Sequence, residues 1–158
     1  MPNPVFIFDE DLYNRIGGRP ALTQLTDGKK TGTWNAETTA RARFDACNIV
    51  LEAAGVQSDL SGYSATEFAS RFPNLVTYAV FKALYLTWAY GSSGQACPER
   101  VIAFNQEADA GIERLAVRRR KQGSTDFSPQ PAQEVRGSID NNPDGSRMTL
   151  AGFKTGFC

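Results

Sequence analysis

At 158 residues, 41% of them hydrophobic, the chain has material for one packed domain and an arm, and little more. Lys plus Arg and Asp plus Glu both number 17, so the formal charge is zero, which argues against a protein whose main work is gripping nucleic acid, because such proteins carry a basic excess. There is no histidine, which removes the commonest general base and the commonest metal ligand together, and the three cysteines lie too far apart for paired-ligand spacing.

The start, Met1-Pro2-Asn3-Pro4, lacks the basic and apolar regions of a secretion signal, and an odd number of cysteines predicts reduced thiols in a cytoplasmic setting. Val5-Phe6-Ile7-Phe8 is a short apolar run, either a strand or a tether laid on the body. Asp9 is placed to cap a short helix, Glu10 to Ile16, stopped by Gly17-Gly18. Arg19-Pro20 opens another short helical turn, Ala21 to Leu25, with Leu22 and Leu25 as its buried contacts. Residues 27–32 form a turn-rich loop whose glycines supply positive φ.

Asn35 is the expected cap of a longer helix, Ala36 to Ala54, ended by Gly55. Ala42, Ala46, Ile49 and Ala53 mark one apolar row on it, and Phe44, Cys47, Leu51 and Ala54 a second. Ser64 and Glu67 have capping-box spacing at the start of a short helix that carries Phe68 and Phe72. Pro73 breaks that helix and feeds the next.

From Asn74 to Tyr90 there is no Pro or Gly, and apolar residues leave little room for a polar face. Such a helix is a central one, wrapped by neighbours, and with Lys82 inside it the segment is marginal as a membrane span. Pro98 opens the last helix, which runs to about Lys121 with Val101, Phe104, Ala108, Ile112 and Leu115 on one face. Glu99 in its first turn and Arg118 to Lys121 in its last follow the order the helix dipole favours.

After Gly123 the composition changes. Residues 124–158 carry Pro129, Pro131 and Pro143, with isolated apolar residues at Val135, Ile139, Met148, Leu150, Phe153 and Phe157. Pro143-Asp144-Gly145 reads as a hairpin turn. A linker seldom spends such residues on solvent, so the expectation is an extended arm ordered by a partner. The whole reads as all-α: a bundle of about four to five helices over residues 1–123, then an extended C-terminal arm over 124–158 with a short β-hairpin in it.

The groups that could carry chemistry have plainer explanations. Arg118, Arg119, Arg120 and Lys121 could touch phosphate, but complementing the helix dipole already accounts for them. The stretch from Gly28 to Gly32 lacks the residue order and the strand-to-helix setting of a phosphate loop. Glu107 and Asp109 face different ways on a helix and cannot pair. Cys47 reads as a small core residue, and Cys158 has no base to activate it. Trp34, Tyr78, Tyr85, Trp88 and Tyr90 could form an aromatic platform but read better as core. No catalytic set, metal site or cofactor site is expected.

The order of the parts resembles a known family. Asp11-Leu12-Tyr13-Asn14-Arg15-Ile16-Gly17 matches a "DL-x-x-R-x-G" helix, and Leu22-Thr23-Gln24-Leu25-Thr26-Asp27 an "L-x-Q-L-T-D"-like turn. An Ala-rich helix (Ala40 to Ala54) follows, then a Pro-opened apolar helix with Tyr85 and Trp88 near its end, then a helix with a basic end before Gly123. Over residues 9–123 this is similar to the head–tail connector (adaptor, or head-completion) proteins of tailed bacteriophages. After Gly123 there is no motif to match.

The resemblance implies a structural protein of the virion neck, assembled in the host cytoplasm and acting as no enzyme. It implies a self-assembled ring, a dodecamer, under the portal protein. The ring joins the portal to a stopper or tail-terminator protein, and packaged DNA passes through the lumen without sequence-specific binding. No membrane and no cofactor are implied. The arm, with Val135, Arg136, Ile139, Arg147, Met148, Leu150, Phe153 and Phe157, is expected to bind the portal, and Arg118 to Lys121 to meet a neighbouring subunit or the DNA lumen. Competing expectations are a stopper or tail-completion neck protein, which tends toward β-rich folds, a helical DNA-binding packaging protein, and a small enzyme.

Overall fold

A computed structural model of the chain describes residues 3–27, 30–92 and 94–122. Within them the backbone forms six α-helices: α1 (Asp9–Ile16), α2 (Arg19–Thr26), α3 (Ala36–Ala54), α4 (Ala65–Arg71), α5 (Pro73–Gly91) and α6 (Glu99–Gln122), with a single 3-10 turn at Leu60–Gly62 between α3 and α4. No strand occurs among the described residues, so the fold is all-α there. The helix number exceeds the expected four to five because the two short N-terminal segments each complete eight residues of helix.

The apolar run beginning at Pro73 decides the architecture. α5 packs against all five other helices, most extensively α3 and α6. Leu75, Ala79, Ala83 and Leu84 are all but inaccessible to water, and burying a Leu of this kind contributes about 1.5–3 kcal/mol. Only the two ends of α5 emerge, at Pro73 and Asn74 and at Ala89 and Tyr90. The helix lies in the middle of the bundle, as its composition predicts.

Local chemistry sets most helix ends. The Asn35 side chain accepts the amides of Glu37 and Thr38, each at 3.1 Å, and Gly55 closes α3 at φ 80°, where a side chain would be strained. Ser64 accepts the Glu67 amide at 3.2 Å and donates its hydroxyl to the Glu67 carboxylate at 3.0 Å. Phe68 and Phe72 then pack ring against ring 4.7 Å apart, and Pro73 turns the chain into α5.

The N-terminal run is a tether, not a strand. Phe6 and Ile7 are fully buried, and the Phe6 ring lies 4.9 Å from that of Phe68. Asp9 does not cap α1. Phe8 holds the cap position and donates its amide to Asp11 at 2.7 Å. Asp9 faces Arg43 of α3 as an ion pair 2.9 Å apart, and Arg43 also donates to the Ile7 carbonyl at 3.2 Å. A tertiary partner outcompeted the local cap, and the exchange fastens the tether to α3.

The apolar rows read along α3 are also corrected. Its buried stripe is Thr39, Ala42, Ala46, Cys47, Val50, Leu51 and Ala54. Phe44 and Ile49 sit at 45% and 36% exposure. At 100° per residue these two flank the stripe on opposite edges, beyond the reach of α5 and α6.

α5 and α6 meet through a glycine that periodicity did not single out. A Cβ on Gly111 would lie 2.4 Å from two atoms of the Tyr78 ring, so glycine is what lets the ring lie flat against α6. Nearby, Lys82 of α5 bridges to Asp109 at 2.6 Å and to Asn105 at 2.9 Å. Both contacts tie the middle of the central helix to α6.

Candidate functional site

The basic end of α6 runs beside the C-terminal end of α3. Arg119 donates to the Glu52 carbonyl there, which also accepts the Gly55 amide at 3.2 Å. A concavity of about 430 Å³ opens beside it, lined by Asn48, Leu51, Glu52, Val56, Gln57 and Arg119 among others. Arg120 lies 3.9 Å from Glu113 on the same helix, and both side chains are well exposed. Arg118 and Lys121 have no partner among the described residues. The four cations therefore divide into one that joins helices, one in a loose surface pair and two free.

The arm residues singled out from the sequence (Val135, Arg136, Ile139, Arg147, Met148, Leu150, Phe153 and Phe157), and the hairpin turn at residues 143–145, lie outside the described residues. So do Cys158 and the Gly28-Lys29 part of the loop. The described part of that loop is organised by Asp27, whose carboxylate accepts the amides of Thr31 and Gly32 and the Thr31 hydroxyl. The Thr31 amide, ahead of the others, holds the Asp27 carboxyl below its usual range.

The remaining candidates are spent on packing. Asp109 pairs with Lys82, away from Glu107. Cys47 is wholly buried, and desolvation pushes its thiol up to about 11, against the opposing pull of the Phe6 and Ile7 backbone. The five aromatics are half-buried or, for Tyr90, exposed, and they do not form one platform. Trp34 bonds Thr39 and lies under the Arg19 guanidinium, while Trp88 bonds the Gln95 carbonyl. Tyr90 donates to Asp45 at 2.7 Å, and Arg41 lies 4.9 Å over its ring. Burial, ahead of the Asp45 bond, raises the Tyr90 phenol.

One arrangement escaped the sequence reading. Arg15 at the end of α1 lies 5.1 Å over the Phe81 ring, Phe81 stacks on Phe104 at 4.4 Å, and Arg100 lies 5.6 Å over Phe104. Arg100 also donates to the carbonyls of Arg15 and Ile16, at 3.0 and 3.3 Å. Both arginines line a concavity of about 390 Å³ together with Asp11, Asn14, Val76, Thr77 and Val80. Nothing local links Arg15 to a residue 85 positions later, so no spacing rule could have found the pair.

Among the described residues, no three His, Cys, Asp or Glu side chains gather closely enough to hold a metal ion, and no helix is long and apolar enough to cross a membrane. Fold and surface together define a class and nothing finer: an all-α bundle around one apolar helix, with one group of cations at the end of α6 and another at the junction of α1, α5 and α6. No family model, curated protein or solved structure matches the chain.

Proposed function

We propose that the chain is a structural head–tail connector of a tailed phage, which assembles as a ring under the portal protein and joins it to a stopper or tail-terminator protein. The observation that carries this reading is the order of elements: a short helix ended by Gly17-Gly18, a second short helix through Leu22 and Leu25, an Ala-rich helix, a Pro-opened central helix and a long helix with a basic end. That succession supports the likeness drawn from the sequence, because each quoted motif coincides with one helix and its stop. The six helices, with no strand among the described residues, favour an adaptor over a stopper or tail-completion protein of β-rich type.

Work is done in this reading by geometry and multiplicity, not by a reaction. Burying the arm's apolar side chains on the portal gains about 25 cal/mol per Å². Ordering its residues costs about 1–2 kcal/mol each, so a single arm binds weakly. In a ring the later arms dock as intramolecular events, and avidity compensates. DNA in the lumen meets a chain of zero net charge, and only Arg118 and Lys121 of the basic run stay free for phosphate.

Negative-stain imaging of the purified protein with its portal tests the proposal, with a ring on the portal as the expected image. A chain ending at Gly123 is expected to stay folded and to fail to join portal-bearing capsids. Normal attachment of that chain would remove the arm from the mechanism, and absence of any ring with the full chain would remove the connector. A DNA-binding protein would instead bind duplex with a steep salt dependence, log K falling by about 0.9 per phosphate contact against log salt.

A further inference from the structure

We propose that the concavity between α1, α5 and α6 is a binding site for carboxylate side chains of an acidic protein segment, with Arg15 and Arg100 as the anion-holding pair. Two arginines line one opening of about 390 Å³. Both are oriented before any ligand arrives, because each lies over a ring of the stacked Phe81–Phe104 pair. A guanidinium has five N–H donors in a flat fork that matches a carboxylate. Arg100 spends donors on two carbonyls, one of them that of Arg15, and the Arg15 guanidinium has no hydrogen-bond or ion-pair partner among the described residues. Donors therefore remain on both, one guanidinium over each ring of the stack, so two carboxylates of one segment can each pair with one of them.

The walls select the kind of anion. Asp11 lines the same concavity, with one carboxylate oxygen accepting the Phe8 amide. Its charge repels a polyanion such as duplex DNA more than it repels a single carboxylate. A duplex also needs a wide, convex-fitting basic surface, and here the cations sit at a recess. Val76 and Val80 add apolar wall, which suits the methylenes of a glutamate side chain better than a bare phosphate. The inference stands on this recess alone and holds whether or not the chain is a connector.

The test titrates isotope-labelled full-length protein with the N-acetylated, amidated peptide Gly-Glu-Glu-Gly and follows the arginine side-chain and backbone resonances. The glutamine version of the peptide, inorganic phosphate and a short DNA duplex serve as comparisons. The glutamate peptide is expected to shift Arg15, Arg100 and Thr77 saturably, the glutamine peptide to leave them in place, and Arg15→Ala to weaken binding about fivefold. Should Arg15→Ala disturb the fold, Arg15→Gln gives the same reading with the side-chain length retained. The proposal is overturned by no shift with the glutamate peptide, by equal binding in the arginine variants, or by tighter binding of phosphate or duplex.

Discussion

Thr87 is the plainest case of a residue whose cost is visible only in three dimensions. It is fully buried toward the C-terminal end of α5, and its hydroxyl has no hydrogen-bond partner. A buried donor left unmade is a liability, and an apolar isostere removes it. Thr87→Val is expected to raise stability by about 0.5–1 kcal/mol in urea melts, and a loss of stability would mean that the hydroxyl is satisfied after all. Cys47 makes the opposite point, since its burial suits the neutral form. With the folded thiol pushed up to about 11 and an unfolded thiol near 8.5, its contribution is intact below the unfolded value and is lost as pH rises through the folded one. Between pH 8 and 11 the wild type should lose on the order of 3 kcal/mol more than Cys47→Ala, and native Cys47 should resist alkylation at pH 8. Equal pH slopes in the two proteins would refute the assignment.

At the scale of the helices, the α5–α6 contact depends on one missing methyl. A Cβ on Gly111 would meet the Tyr78 ring at 2.4 Å, so Gly111→Ala must push the ring aside, at a cost of about 1–3 kcal/mol by the usual penalty for overpacking. In a Tyr78→Ala background the same change should be neutral or stabilising by up to about 1 kcal/mol, because alanine is the better helix former. Thermal melts of the double-mutant cycle check this, and additive effects would show that the two residues do not touch. Helix starts and stops rest on shorter-range chemistry. Asn35 accepts two amides, and Asn35→Ala is expected to cost about 1 kcal/mol, read as a lower melting midpoint. These ends were legible in the sequence because a cap, a stop and the helix between them are neighbours along the chain. Gly111 was not, because an interior glycine looks the same whether it admits a ring or merely weakens a helix.

At the scale of the molecule, the buried apolar residues that make the core among the described residues run from Phe6 to Leu115. A chain ending at Gly123 should therefore keep its helical circular dichroism and melt in one cooperative step, and a broad or absent transition would show that the core needs residues beyond it. The same fragment separates folding from the proposed attachment to the portal, since it is expected to retain the first and lose the second.

Read by itself, the amino-acid order determined that the chain is helical up to Gly123, that the Pro73-led segment lies at the centre, and where most helices begin and end. Periodicity, caps and breakers act over a few residues, so they are written in the order of the chain. Which face of α3 is buried, the diversion of Asp9 from cap to ion pair with Arg43, the seat of Tyr78 on Gly111 and the meeting of Arg15 with Arg100 were decided only by the tertiary structure. Each joins residues distant in sequence, and their contact depends on how six helices share one core.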